Sequence, residues 1–205
     1  MLELADIGKS FDGRIIIESA SVSLKGGEVL CLTGPSGIGK TTLLEIAAGV
    51  TKPDKGTVRR GVAASLMFQD DVLIPWLTAK EAIAYILPRS MPGREQADVA
   101  AFWLEKFGLD AAMYPAAMSG GMRRRLSIAR TFAAGRLLIL LDEPFAFLDA
   151  DHCRLMAEEI AAHAEKGCGV ILTSHTTDPL RHPRLSRLAP RMLTVERSPI
   201  VIDAQ

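Results

Sequence analysis

Paired cysteines, net charge and long apolar runs are all missing from this sequence, and each absence narrows what the chain can be. The 205 residues hold three cysteines, Cys31, Cys153 and Cys168, in no CxxC spacing. An odd count at such spacings builds neither a disulfide framework nor a zinc site, so the thiols read as reduced packing residues of a cytosolic protein. Lys plus Arg balances Asp plus Glu at 24 each. A net charge of zero gives no electrostatic case for nucleic acid, and no nucleic-acid partner is expected. The longest purely apolar stretch, around Leu137, falls far short of the roughly 20 residues that span a bilayer. The opening MLELADIGKS lacks the basic-then-apolar pattern of a secretory signal, so none is expected. Any membrane role must then come through a partner. No repeat and no low-complexity tract is evident.

What is present is the composition of a globular domain, with 48% apolar residues, enough for one full core. Apolar runs over residues 2–7, 20–24 and 28–33 predict strands, separated by turn signals at Asp12-Gly13 and Gly26-Gly27. Residues 40–49 predict a helix, Pro53, Asp54 and Gly56 a turn, and 63–68 a short strand. The texture then changes. From Thr78 to about Ala134 the patterns are helical, with a capping box at Thr78 and Glu81 and further helices over 96–107 and 120–134. Strands return at 137–141, 170–174 and 192–195, with a helix over 150–166 between the first two. Strands alternating with helices predict a parallel α/β sheet, and the middle stretch predicts a helical subdomain, about 70–134, inserted in a single domain of 1–205.

Residues Gly34, Pro35, Ser36, Gly37, Ile38, Gly39, Lys40 and Thr41 fit G-x-x-x-x-G-K-[ST] without exception. The chemistry explains the pattern. Glycines let the backbone wrap closely and turn its N–H groups toward phosphate oxygens. The helix starting near Lys40 adds its positive dipole end. Lys40 is placed for the β- and γ-phosphates, the Thr41 hydroxyl for Mg2+, and Thr42 for the α-phosphate. An apolar strand before the loop and a helix after it are the context that the motif needs.

The strand at 137–141 ends in Asp142 and Glu143. In parallel sheets, ligands bind at the carboxyl ends of strands. Asp142 is expected to hold Mg2+ through water, and Glu143 to act as general base on the attacking water. Two acids after an apolar strand are common by themselves; the phosphate loop gives them meaning.

Three further segments bring a family into view. Ser119-Gly120-Gly121 follows Met118 at a helix start, Gln69 follows Met67-Phe68, and His175 follows Thr173-Ser174. In this order, with the Walker A loop and the acid pair, they resemble the ATP-binding subunits of ABC transporters, from Leu2 to about Val195. The resemblance implies an ABC-type P-loop NTPase fold, α/β, with N-terminal antiparallel strands and an inserted helical subdomain. It implies that Ser119, Gly120 and Gly121 form the signature motif, which caps ATP held by the opposite subunit. Gln69 takes the role of the lid glutamine at Mg2+ or the lytic water, and His175 that of the switch histidine at the γ-phosphate and Glu143. Asp149 falls in the loop that crosses the dimer interface. Phe11 lies where the family keeps a ring against adenine. ATP and Mg2+ are the implied substrate and metal.

The segments Met67-Phe68-Gln69-Asp70-Asp71, Pro75-Trp76-Leu77-Thr78 and Gly121-Met122-Arg123 are similar to those of bacterial nitrate, sulfonate and taurine importers. The implied partners are a second ATP-binding subunit, as a homodimer, a separate transmembrane permease, for which Trp76 and Leu77 are docking candidates, and indirectly a substrate-binding protein. The implied place is the cytoplasmic face of the cell membrane. Departures from the family are Met118 for Leu, Thr176 for Asp, and the bulky Phe147 where a smaller residue is common. The short stretch after Thr57 predicts a trimmed hairpin, and the early end of the chain predicts no C-terminal regulatory part. A soluble ABC ATPase of DNA repair or chromosome maintenance is the alternative. The lack of long heptads and the neutral charge oppose it. Single copies of each motif oppose a two-domain translation factor, and Glu143 with His175 opposes a non-hydrolysing regulator.

Overall fold

Strands β1 (Leu2–Phe11) and β2 (Arg14–Leu24) form an antiparallel hairpin closed by Asp12 and Gly13, both at positive φ, the two-residue turn that Asp-Gly favours. Both strands run longer than their patterns predict. Register shifts in β1 after Leu4, Ile7 and Lys9 interrupt the period of two by which a strand is recognised. The computed structural model describes residues 1–175 and 178–202. Thr176, one of the departures above, lies outside the described residues.

Buried β3 (Val29–Thr33) leads through the glycine loop into α1 (Lys40–Ala48), which Gly49 ends in a left-handed cap. The stretch predicted as a turn at Gly56 is instead strand β4 (Lys55–Arg60), paired antiparallel with β1. Its sequence KGTVRR is almost wholly exposed, so tertiary pairing overrides a local composition that reads as a turn. Then come β5 (Ala64–Met67), α2 (Ala79–Ala84), α3 (Gly93–Lys106) and α4 (Gly120–Ala133). The remaining elements are β6 (Leu138–Leu141), α5 (Ala150–Glu165), β7 (Gly169–Ser174), α6 (Pro183–Ser186), β8 (Arg191–Thr194) and β9 (Ile200–Ile202). Among the described residues no helix is long and apolar enough to cross a membrane.

Two compact units emerge. The first comprises Met1–Gln69, Arg136–Phe145 and the chain from Cys153 onward. It holds two sheets. One, ordered β4-β1-β2-β9, is mixed, since β9 joins β2 in parallel. The other, ordered β5-β6-β7-β3-β8, is parallel throughout. Between them sits a core of Leu30, Leu32, Leu44, Ile46, Leu138, Leu140 and Ile171 with Ile7, Ile17 and Leu24 of the mixed sheet. Every residue of β6 and β7 is buried, which is why residues 138–141 and 170–172 read as continuous apolar runs. Truncating one such Leu or Ile to Ala costs about 2–5 kcal/mol.

The second unit comprises Asp70–Gly135 and Ala146–His152. Trp103 centres it, stacked on Phe107 at 6.2 Å and on Phe132 at 5.8 Å. The buried guanidinium of Arg124 lies 3.5 Å from the Asp71 carboxylate. Thr78 caps α2 with the reciprocal Glu81 bonds of a capping box.

Candidate functional site

The parallel sheet of the first unit aims the ends of β3, β6 and β7 at one edge. Beyond β3 the chain must turn back sharply to start α1, and three glycines at positive φ do this: Gly34, Gly37 and Gly39 at 146°, 73° and 114°. A Cβ on Gly34 would strike the Val195 carbonyl, and one on Gly39 would lie 2.6 Å from Ile16 Cγ2. Gly37 has open space around it, so there the backbone angle alone selects glycine. Ile38 points the other way, into the core, and anchors the loop. Gly39 caps α1 with no side-chain hydrogen bond, so the first amides of the helix remain for an external acceptor.

Lys40 is buried, and its Nζ donates to the carbonyls of Gly34 at 2.7 Å and Pro35 at 2.9 Å. Burial lowers its pKa, while the charges of Glu143 and Asp142 oppose that shift. An ammonium held only by neutral carbonyls can exchange them for phosphate oxygens, with which it makes stronger, charge-assisted bonds.

Asp142, 2% exposed, directly follows β6. Its two oxygens accept from two threonines at 2.6 Å each, Thr41 and Thr173. The Thr173 hydroxyl in turn accepts the Glu143 N–H at 2.8 Å. Glu143 stands at φ 49°, a conformation that a non-glycine residue occupies only when its surroundings impose it. His175, just past β7, brings Nε2 to 2.5 Å from Glu143 Oε1 and 3.4 Å from Ser36 Oγ. A cleft of about 260 Å3 is lined by Phe11, Ile16, Ser36, Gly37, Gly39, Lys40, Thr41, Thr42, Gln69 and Glu143. The first unit alone therefore gathers the predicted loop, acid, glutamine and aromatic positions, with His175 bonded to Glu143.

The donor set suits a hard divalent cation. Thr41 and Asp142 oxygens lie together, and Gln69 lines the same cleft. No group of three or more His, Cys, Asp and Glu with metal-binding placement occurs among the described residues. Such a shell fits Mg2+, which takes few protein ligands and completes its six with water and substrate phosphate.

The other predicted positions belong to the second unit. Ser119 caps α4, its hydroxyl accepting the Met122 N–H at 3.2 Å, and Arg123 donates to the Met118 carbonyl at 2.7 Å. Ser119 and Gly120 are exposed. Asp149 accepts from the His152 N–H at 2.9 Å and from His152 Nδ1 at 2.7 Å. These bonds, the backbone one first, hold its carboxyl below the ordinary aspartate range.

Sequence reasoning missed Thr173, Ile16 and His152. Thr173 sits in an apolar strand, where a threonine reads only as a β-branched strand former. Ile16 reaches the cleft through the packing of β2, and His152 acts through a loop contact. None of the three has a local sequence signal.

The ABC transporter family profile matches residues 17–146 of the chain. A taurine import ATP-binding protein of Escherichia coli O157:H7 is 33% identical over 187 residues, spanning 85% of this chain and 73% of that protein. A nitrate import ATP-binding protein of Synechocystis is 30% identical over 193 residues, spanning 86% and 73%. Among solved structures, a dimeric post-hydrolysis state of the ATP-binding cassette MJ0796, bound to ADP and phosphate, superposes with a TM-score of 0.85 at 25% identity, covering 97% of each chain.

Proposed function

This chain belongs to the ABC transporter family, and from that premise we propose that it is the ATP-hydrolysing subunit of a bacterial importer for small anions or organic solutes. Relatives named for taurine and nitrate import support that class of cargo. The working unit is a pair of copies facing head to tail, bound at the cytoplasmic face of the membrane to a separate permease. A substrate-binding protein delivers cargo to the permease. Trp76, 75% exposed, and Leu77 are the docking candidates for the permease.

One observation carries the reading. Glu143, at φ 49° with its N–H on the Thr173 hydroxyl, is bonded to His175 in a cleft walled by the phosphate loop. Lys40 exchanges the loop carbonyls for β- and γ-phosphate oxygens. The free amides of α1 receive the remaining phosphate charge. Phe11 stacks on adenine. Thr41, Asp142 and Gln69 hold Mg2+, which when bound screens the phosphate charge. Glu143 accepts the proton of the attacking water, and His175 fixes the carboxylate through its Nε2 bond. Ser119 and Gly121 of the second copy, at the start of its α4, complete the site. Closure of the pair and hydrolysis are thus coupled.

Glu143→Gln tests this. It keeps the shape of the side chain and removes the base, so turnover is expected to fall by about 10²- to 10⁴-fold. ATP binding stays, and the ATP-loaded variant runs as a dimer in light scattering. An ATP-loaded monomer overturns the pairing, and unchanged turnover overturns the assignment of the base.

A further inference from the structure

Phe11, 46% exposed at the end of β1, borders the phosphate cleft together with Ile16. The hairpin puts them there. Pairing passes from Lys9 opposite Ile17 to Ser10 opposite Ile15, so Ile16 is an extra residue on β2. Such a bulge re-aims a side chain, and Ile16 reaches the phosphate loop beside Gly39. One face of the Phe11 ring is already taken. The Lys9 ammonium stands over it, 5.0 Å from the ring centre. A lysine on a strand edge normally ranges through many rotamers. This one is fixed. Its Nζ donates to Asp54 Oδ1 at 2.8 Å, and its side chain is only 14% exposed. Asp54 is fixed in turn by β1. Its other oxygen accepts the Ser10 N–H at 2.7 Å, and its own N–H donates to the Gly8 carbonyl at 2.9 Å. The bond from Lys9, then that from Ser10, holds its carboxyl below the ordinary aspartate range. Neither Lys9 nor Asp54 lines the cleft, so what they do for a bound nucleotide passes through the ring.

We infer that Lys9, held by Asp54, is a positioning residue for the base: it backs the Phe11 ring, so that the purine of the nucleotide stacks on the opposite face. This rests on the placement of adenine against Phe11 proposed above. A fixed ammonium behind the ring has two physical effects. It draws π density to its own side, so the opposite face repels the π cloud of a purine less. It also restricts the ring before the nucleotide arrives, so less freedom is lost on binding. The ion pair itself adds little to the fold, since Asp54 is about half exposed. Its use lies in where it sets the ammonium.

ADP carries the base and inorganic pyrophosphate does not, so isothermal titration with each separates the ring from the phosphate cradle. Lys9→Met keeps the apolar stem and removes the charge. It is expected to weaken ADP binding by about 3-fold while leaving pyrophosphate affinity as in the parent. Lys9→Arg, which again sets a cation over the ring, keeps ADP affinity. Phe11→Ala weakens ADP binding by about 10-fold. Adding Lys9→Met to it costs nothing further, because the ring through which Lys9 acts is gone. Three results each overturn the role of Lys9 and leave adenine at Phe11 standing: a loss of ADP affinity under twofold in Lys9→Met, an equal loss for pyrophosphate, or a loss that persists in the Phe11→Ala background. Unchanged ADP affinity in Phe11→Ala overturns both.

Discussion

Helices α1 and α4 both begin at glycine-rich turns, yet their beginnings are finished in different ways. At α1 the cap is Gly39, with no side-chain bond, and the loop before it folds back over a buried lysine. At α4 the cap is Ser119, whose hydroxyl takes the Met122 amide, while Ser119 and Gly120 remain exposed. The first start is walled by its own unit into a cleft with lysine, threonine and carboxylate in place. The second is an edge capped by the Ser119 hydroxyl, with the Arg123 guanidinium tied to the Met118 carbonyl and no acidic residue in the first turn. A helix start that is to hold a phosphate from its own chain needs its amides free and a counter-charge at hand. One that only has to cap a phosphate held elsewhere needs to be rigid and accessible.

Removing one element from each start separates these two jobs. Lys40→Ala takes away the counter-charge, and charge-assisted bonds to phosphate are worth about 1.5–3 kcal/mol. ATP affinity is expected to fall by roughly 10- to 100-fold in a titration with fluorescent nucleotide, while Ser119, Gly120 and Gly121 are untouched. Wild-type affinity in this variant breaks the comparison at the cradle. Ser119→Ala has the smaller effect. Losing the cap costs about 1 kcal/mol, which lowers the melting temperature by about 2–4 °C. ATP affinity stays as in the parent. A drop in affinity there blurs the distinction between a site that holds ATP and one that covers it.

The sequence carries these two starts unequally. Residues 34–41 are legible because backbone angles and charge dictate nearly every residue type: three positive φ values, one buried ammonium, one hydroxyl beside Asp142. The parallel sheet is legible for a similar reason, since residues 138–141 and 170–172 are buried on both faces and apolar. Strand β4 is not legible. Its six residues are nearly all exposed and owe their conformation to pairing with β1. Strand β9 likewise exists through its parallel pairing with β2, far away in the chain. The same holds at the site. Thr173, which bonds Asp142 and the Glu143 amide, and His152, which joins Asp149 to Arg125, act through contacts between distant segments. Residue type and spacing do not encode such contacts. Family likeness supplies expectations for Ser119 and Asp149, while the brace behind Asp149 is visible only in three dimensions.

The central claim is that the phosphate loop is half a site and that the start of α4 in another copy is the other half. Mixing two damaged chains tests this most directly. Lys40→Ala spoils the cradle. Gly121→Asp places an acid where phosphate is to be capped, and its Cβ meets only an ordinary contact at 3.5 Å. Each variant alone is expected to release almost no phosphate from ATP. In a mixed pair one site carries both lesions and the other carries neither, so phosphate release returns on mixing. A mixture as inactive as its components, or a Gly121→Asp chain as active as the parent, contradicts the claim.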